Sequence, residues 1–230
     1  MNVDANYTGS VDPRLDFTVG RIGLPWRGYT YTAGWCRAYD VYGEFSNKKA
    51  WPAPGEALAA WPWGGNSLNY MFIRYADVLL LKAEALIETA TGTNAATDAG
   101  LVEARDLINQ VRQRAQNSVD GTYTPQDLDP SVADYYVNLY PVTDNLTWTK
   151  EYARRALRME RRLELALEGN RWFDLVRWGS DYLVKTMNTY MEQESKLRQY
   201  YSGRSVTASE IFLPIPLSEI DNSNGLYKQL

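Results

Sequence analysis

Glu160, Glu164 and Glu168 recur every four residues, with Arg161, Arg171 and Asp174 close by in sequence. Two carboxyl groups facing a sugar across about 5 to 10 Å are what glycoside hydrolysis requires. Residues four apart share a helical face, and like charges at that spacing repel. The row is therefore tolerable only where cations neutralise it or water screens it. Arg161, Arg171 and Arg177 stand nearby, and Arg74, Arg112 and Arg114 are available from other helices. The same stretch carries an apolar stripe of Met159, Leu163, Ala166 and Leu167, which marks a helix packed on a core. Arginines bracketing acids beside such a stripe read as a structural ion network, because the guanidinium fork orients carboxylates as Lys does not. On that reading the chain is not an enzyme and carries no catalytic residue.

The second chemical feature is aromatic. The 230 residues include 8 Trp and 17 Tyr, more than helix packing needs. Trp26, Tyr29, Tyr31, Trp35, Tyr39, Tyr42, Trp51, Trp61 and Trp63 alternate with Gly and Pro through a stretch with no sustained helical or strand period. A long loop of this kind in a compact protein is usually functional. Indole faces suit sugar rings, whose axial C–H groups form an apolar plate. Trp26, Trp35, Trp51, Trp61 and Trp63 are the candidate ligand-binding residues; the competing reading is that such rings plug gaps between loop and helices. Tyr135, Tyr136, Tyr140 and Trp148 form a second cluster, read as sealing the helices.

Composition excludes other classes. The net charge of −4 argues against a nucleic-acid partner, which calls for a basic stripe. With no His, histidine catalysis and His-ligated metal sites are ruled out, and neither cofactor nor metal is expected. Cys36 is the single cysteine, so no internal disulfide forms, and nothing nearby activates it as a nucleophile. No run of about 18 apolar residues is present to cross a membrane as a helix.

Residues 1–69 read as loop-rich and aromatic, with a turn at Asp12-Pro13 and a strand candidate at Phe17-Thr18-Val19. Residues 70–230 read as helical, the two segments together making one domain. A helix spans 70–89, with Ile73, Ala76, Leu80, Ala83, Leu86 and Ile87 as its stripe. Asp98 caps the next, at 101–116, with Leu101, Ala104, Leu107, Ile108 and Val111 inward. Thr149 caps the long signature helix, which stops at Gly169-Asn170. A short piece, 171–178, and an amphipathic helix, 181–197, follow. The tail from Ile211 is punctuated by Pro214 and Pro216 and reads as extended, packing back over the helices.

Three ordered blocks carry a resemblance. Ile73-Arg74-Tyr75-Ala76-Asp77-Val78-Leu79-Leu80-Leu81-Lys82-Ala83-Glu84-Ala85 is the first. Glu160-Arg161-Arg162-Leu163-Glu164-Leu165-Ala166-Leu167-Glu168-Gly169, with Arg171-Trp172-Phe173-Asp174-Leu175-Val176-Arg177-Trp178-Gly179, is the second. Phe212-Leu213-Pro214-Ile215-Pro216-Leu217-Ser218-Glu219-Ile220 is the third. Together they resemble the SusD/RagB family, and Asp12-Pro13-Arg14-Leu15 is similar to a further family element. Arg74, Glu84, Asn109, Arg112, Glu160, Arg161, Glu164, Glu168, Arg171, Asp174 and Arg177 fall on the family motif, in structural roles.

The resemblance implies an all-α fold of tetratricopeptide-like helical hairpins with long aromatic loops. It implies a lipid-anchored, non-enzymatic glycan-binding protein on the outer-membrane surface of Bacteroidetes-type bacteria, handing nutrient to a SusC-like TonB-dependent transporter. Family members open with a signal peptide, a lipid-accepting cysteine and a long helical half, so the chain is expected to be the C-terminal part of a larger protein. Two other readings stay open: a scaffold that docks the transporter with the ligand site elsewhere, and a peptide binder.

Overall fold

The computed structural model describes residues 9–49, 51–52, 69, 71–119, 128–130 and 133–228. In chain order the elements are α1 (Arg14–Thr18), β1 (Val19–Gly20), β2 (Pro25–Trp26), β3 (Tyr29–Thr30), α2 (Tyr39–Tyr42), β4 (Ser46–Asn47), α3 (Tyr75–Thr89), α4 (Ala99–Asn117), α5 (Lys150–Glu164), α6 (Asn170–Arg177), α7 (Ser180–Ser195) and α8 (Leu217–Asn222). The fold is all-α with a few two-residue strands. It divides into two compact units, Met1–Arg37 with Glu44–Gly169, and Ala38–Gly43 with Asn170–Leu230.

The first unit is built on α3, α4 and α5. Leu80, Ala83 and Ile87 meet Leu101, Ala104, Ile108 and Val111, with Ala153, Ala156 and Leu157 closing the core. A Leu or Ile buried this completely contributes about 1.5–3 kcal/mol. Asp98 makes the α3–α4 turn: its carboxylate accepts from Thr91 and Gly92 on one side and from Gly100 on the other. Those backbone N–H groups, Gly92 first, hold it below the usual aspartate range. Thr149 caps α5 by accepting from the N–H of Tyr152. Lys150 reaches back to the carbonyls of Glu88 and Ala90, satisfying the end of α3. Of the expected second cluster, Trp148 and Tyr140 pack ring to ring with Tyr152 over this junction, whereas Tyr136 is exposed and Tyr135 bonds Asp16 instead.

Three boundaries differ from the sequence reading. Helix α3 begins at Tyr75, and Ile73 is exposed rather than part of the stripe; Arg74 is extended and serves as N-cap residue, its side chain drawn elsewhere. Phe17 and Thr18 end the short helix α1, and only Val19 of the expected strand enters a ladder, pairing with Asn47. Helix α5 stops at Glu164, one turn before Gly169. Lys49 and Arg74 both donate to the Glu164 carbonyl and so take over the helix end. Leu167 then adopts a left-handed conformation at φ 61°, and Gly169 another at φ 86°, where only Gly is free of strain.

In the second unit, α6 leads through Gly179 into α7, with Trp178 edge-on to Tyr182. Asn188 of α7 exchanges two hydrogen bonds with the backbone of Val206, holding the segment that follows the helix. A single 3-10 turn at Ala208–Ile211, boxed by Thr207 and Glu210, then leads through extended backbone to Pro216, after which α8 forms, a proline being compatible with a helix start. Phe212, Leu213, Leu217 and Leu226 stay exposed, so the tail does not bury its large apolar side chains as expected. Among the described residues no helix is long and apolar enough to cross a membrane.

Candidate functional site

The acidic row becomes a buried ion lattice in the first unit. Glu160 and Glu164 are buried on α5. Arg14 donates to Glu160 at 2.6 Å and to Glu164 at 3.2 Å, and Arg112 donates to the other Glu160 oxygen at 2.9 Å. Glu164 also receives Arg74 at 2.8 Å and Arg114 at 2.6 Å. Glu168, beyond the helix end, is held by Arg74 through two parallel bonds of 2.8 Å and by Lys49 at 2.5 Å. Asp12 locks Arg14 in turn, with bonds of 2.9 and 2.7 Å.

Burial pushes the Glu164 carboxyl up, but Arg114, Arg74 and Arg14 together bring it below the usual glutamate range. Burial likewise raises Glu168, and Arg74 with Lys49 outweigh it. In Lys49 burial wins and holds the ammonium below its ordinary value despite Glu168. A general acid needs a raised pKa and access to substrate. Glu164 is shifted the wrong way, and both it and Glu160 face guanidinium groups.

The remaining motif residues serve packing. Arg161, expected beside the acidic row, pairs with Asp77 in the first turn of α3 at 2.8 Å, where an acid also favours the helix dipole. Asn109 clasps the backbone of Tyr140, donating to its carbonyl at 2.9 Å and accepting from its N–H at 2.8 Å. Arg112 lies over the Tyr140 ring, 4.6 Å from its centroid. Glu84 is buried on the inner side of α3. Arg171, Asp174 and Arg177 belong to the second unit. There Arg177 bonds the buried Asp174 at 2.8 Å, and both arginines lie over the Trp178 ring.

The aromatic assembly is the other candidate. The β2–β3 hairpin turns at Arg27-Gly28, both with positive φ, the geometry that two-residue hairpins favour. It places Trp26 opposite Tyr29 and delivers Tyr31 just beyond. The Trp26 and Tyr31 rings stack at 5.1 Å and 18°. Trp35 and Trp51 each stand edge-on to Trp26, at 5.8 Å and interplanar angles of 80° and 84°. Trp35 also packs edge-on to Tyr31 at 5.6 Å and Tyr29 at 6.4 Å. Tyr31 is pinned at its hydroxyl, 2.7 Å from Ser46 Oγ and 3.2 Å from Cys36 Sγ. Trp26 is only 2% exposed, whereas Trp35 and Trp51 are each 44% exposed and Tyr29 more so. The structure thus brings Trp26, Trp35 and Trp51 together; Trp61 and Trp63 lie outside the described residues.

Sequence reasoning missed Arg14 and Lys49 as partners of the acidic row. Arg14 lay within the Asp-Pro-Arg-Leu element that pointed to the family, so a signal was present. Lys49 had none, because it sits in a loop 119 residues from Glu168.

Helical hairpins joined by a buried Arg–Glu lattice, with an aromatic cluster on preceding loops, define a scaffold of known kind. The SusD family model (SusD/RagB) matches residues 5–230, and the chain belongs to the SusD family. Two SusD-like proteins of Formosa agariphila are 36% identical over 109 residues and 32% identical over 112 residues. Those alignments take in 47% and 49% of this chain and 17% of each relative. The crystal structure of a SusD homolog from Bacteroides thetaiotaomicron shares the fold at TM-score 0.50 and 22% identity, covering 95% of this chain and 40% of that one. The chain therefore spans less than half of that structure.

Proposed function

We propose that the chain is part of a cell-surface glycan-binding protein of the outer membrane, lipid-anchored in its full-length form. It captures an oligosaccharide or polysaccharide as nutrient and hands it to a SusC-like TonB-dependent transporter. It is not an enzyme. The observation that carries this reading is the aromatic assembly, in which Trp35 and Trp51 hold half-open indole rings at fixed angles on a buried Trp26–Tyr31 stack. Rigid exposed rings offer apolar area at low entropic cost, the feature that anchors ligands in binding sites. Family membership supports the sugar as ligand, and the neutralised carboxylates on α5 count against hydrolysis.

The test is a glycan panel read by tryptophan fluorescence and calorimetry, with Trp35→Ala and Trp51→Ala beside the wild type. Saturable binding to particular glycans, lost in both variants, is the expected result. Binding that survives in both variants would remove the site from this assembly. A second reading has one observation in its favour: Phe72, Ile73, Tyr75 and Val78 are exposed together at the start of α3. On that reading this ridge docks the transporter and the ligand site lies elsewhere; Phe72→Asp would then abolish complex formation and leave sugar affinity alone.

A further inference from the structure

This inference rests on the glycan platform just described and concerns what aims its rings. Trp26 supports both exposed indoles yet is itself too buried to face a sugar. Two residues of one ribbon fix it. The first is Gly20, paired with Ser46 in the β1–β4 ladder. A Cβ at Gly20 would lie 2.1 Å from Cζ3 and 2.4 Å from Cε3 of Trp26, so the indole seats itself where only a hydrogen leaves room.

The second is Lys48, directly after β4, whose N–H bonds the Thr18 carbonyl at 2.8 Å. Its side chain is buried, an arrangement that is costly unless the ammonium is hydrogen-bonded. Nζ donates to the carbonyls of Asp16 at 2.5 Å and Pro25 at 2.8 Å and lies 5.9 Å from the Trp26 ring centroid, within cation–π reach. Pro25 immediately precedes Trp26, so the lysine holds both the backbone and the ring of that residue. Asp16 is fixed in turn: its carboxylate accepts two bonds of 2.7 Å from Arg21 and one of 2.7 Å from the Tyr135 hydroxyl.

We propose that Lys48 and Gly20 are positioning residues of the platform, which set through Trp26 the angle at which Trp35 and Trp51 meet a glycan. Neither touches the ligand. The test compares Lys48→Met, which keeps an apolar stem and removes the charge, with Leu107→Ala, which weakens the helical core away from the rings. Oligosaccharide affinity, urea stability and near-ultraviolet circular dichroism are read for each.

The expected result is that Lys48→Met loses affinity about tenfold with altered aromatic bands, while Leu107→Ala loses stability and keeps its affinity. Wild-type affinity and unchanged bands in a folded Lys48→Met protein would overturn the proposal, as would an equal affinity loss in Leu107→Ala. Should Lys48→Met fail to fold, Trp26→Phe asks the same question, and unchanged affinity there overturns it. Trp35→Ala and Trp51→Ala separate the two levels. Loss in both with Lys48→Met intact sinks only the positioning role; no loss in either sinks the platform itself.

Discussion

The ion lattice around α5 and the aromatic assembly around Trp26 lie in the same compact unit and are built on opposite plans. In the lattice, Glu160 and Glu164 are enclosed and each faces arginines drawn from α1, α4 and, for Glu164, the residue before α3. Such a set holds elements in place and offers little to a ligand. In the aromatic assembly, Trp26 and Tyr31 are sealed, whereas Tyr29, Trp35 and Trp51 are open. On the proposed function, these open rings are where binding is expected. Residue type alone does not separate these roles; completeness of partnering does.

The largest effect should come from breaking the lattice. Glu164→Ala removes a carboxylate shared by Arg14, Arg74 and Arg114, of which Arg14 keeps Asp12 and Glu160 and Arg74 keeps Glu168. The loss should therefore approach but not exceed about 3–5 kcal/mol, the cost of a buried pair broken outright. Urea denaturation should show that loss, and sugar affinity in the molecules that fold should not change. Glu160→Ala should behave alike. Arg171→Ala, in the second unit, should cost less and also spare affinity. A clean affinity loss with unaltered melting in any of the three would break the comparison.

The converse change is Trp51→Ala or Trp35→Ala. Each should lose about 2 kcal/mol of glycan binding, the scale of an aromatic hot spot, with little change in melting temperature. Calorimetry on folded protein decides it.

Acid should act on one region only. Glu164 and Glu168 lie below their ordinary value of 4.5, so their contribution is complete above that pH and is lost as the pH falls through their lowered values in the folded protein. Stability should drop in that window, whereas affinity should stay flat between about pH 5 and 8, since tryptophan does not titrate. A steep pH dependence of affinity in that range would place an ionisable group in the site.

Two smaller changes sharpen the picture. Asn109→Ala releases both backbone groups of Tyr140 and should cost about 1–3 kcal/mol. Leu167→Asn should stabilise by up to about 1 kcal/mol, because Asn accepts the left-handed backbone that Leu strains to adopt. A loss of stability in the latter would mean the Leu167 side chain matters more than its exposed position suggests.

Much of this was legible in the sequence because it is local. Apolar periodicity marked α4, α5 and α7, and the Asp98 and Thr149 caps needed only their own turns. The family blocks identified Arg74, Arg112 and the acidic row, and the lattice reading followed from their charges. Loop composition pointed to aromatic chemistry between Trp26 and Trp63. Other features depend on contacts across more than 80 residues. Arg74 and Lys49 end α5 at Glu164 and draw Glu168 into the lattice, which no helical period encodes. Arg161 reaches Asp77 across 84 residues, where α3 packs against α5. Which tryptophans face solvent was also beyond the sequence: Trp26, Trp35 and Trp51 are equal in type, and only the β1–β4 ribbon, with Gly20 and Lys48 beneath one ring, makes the first a support and leaves the other two open.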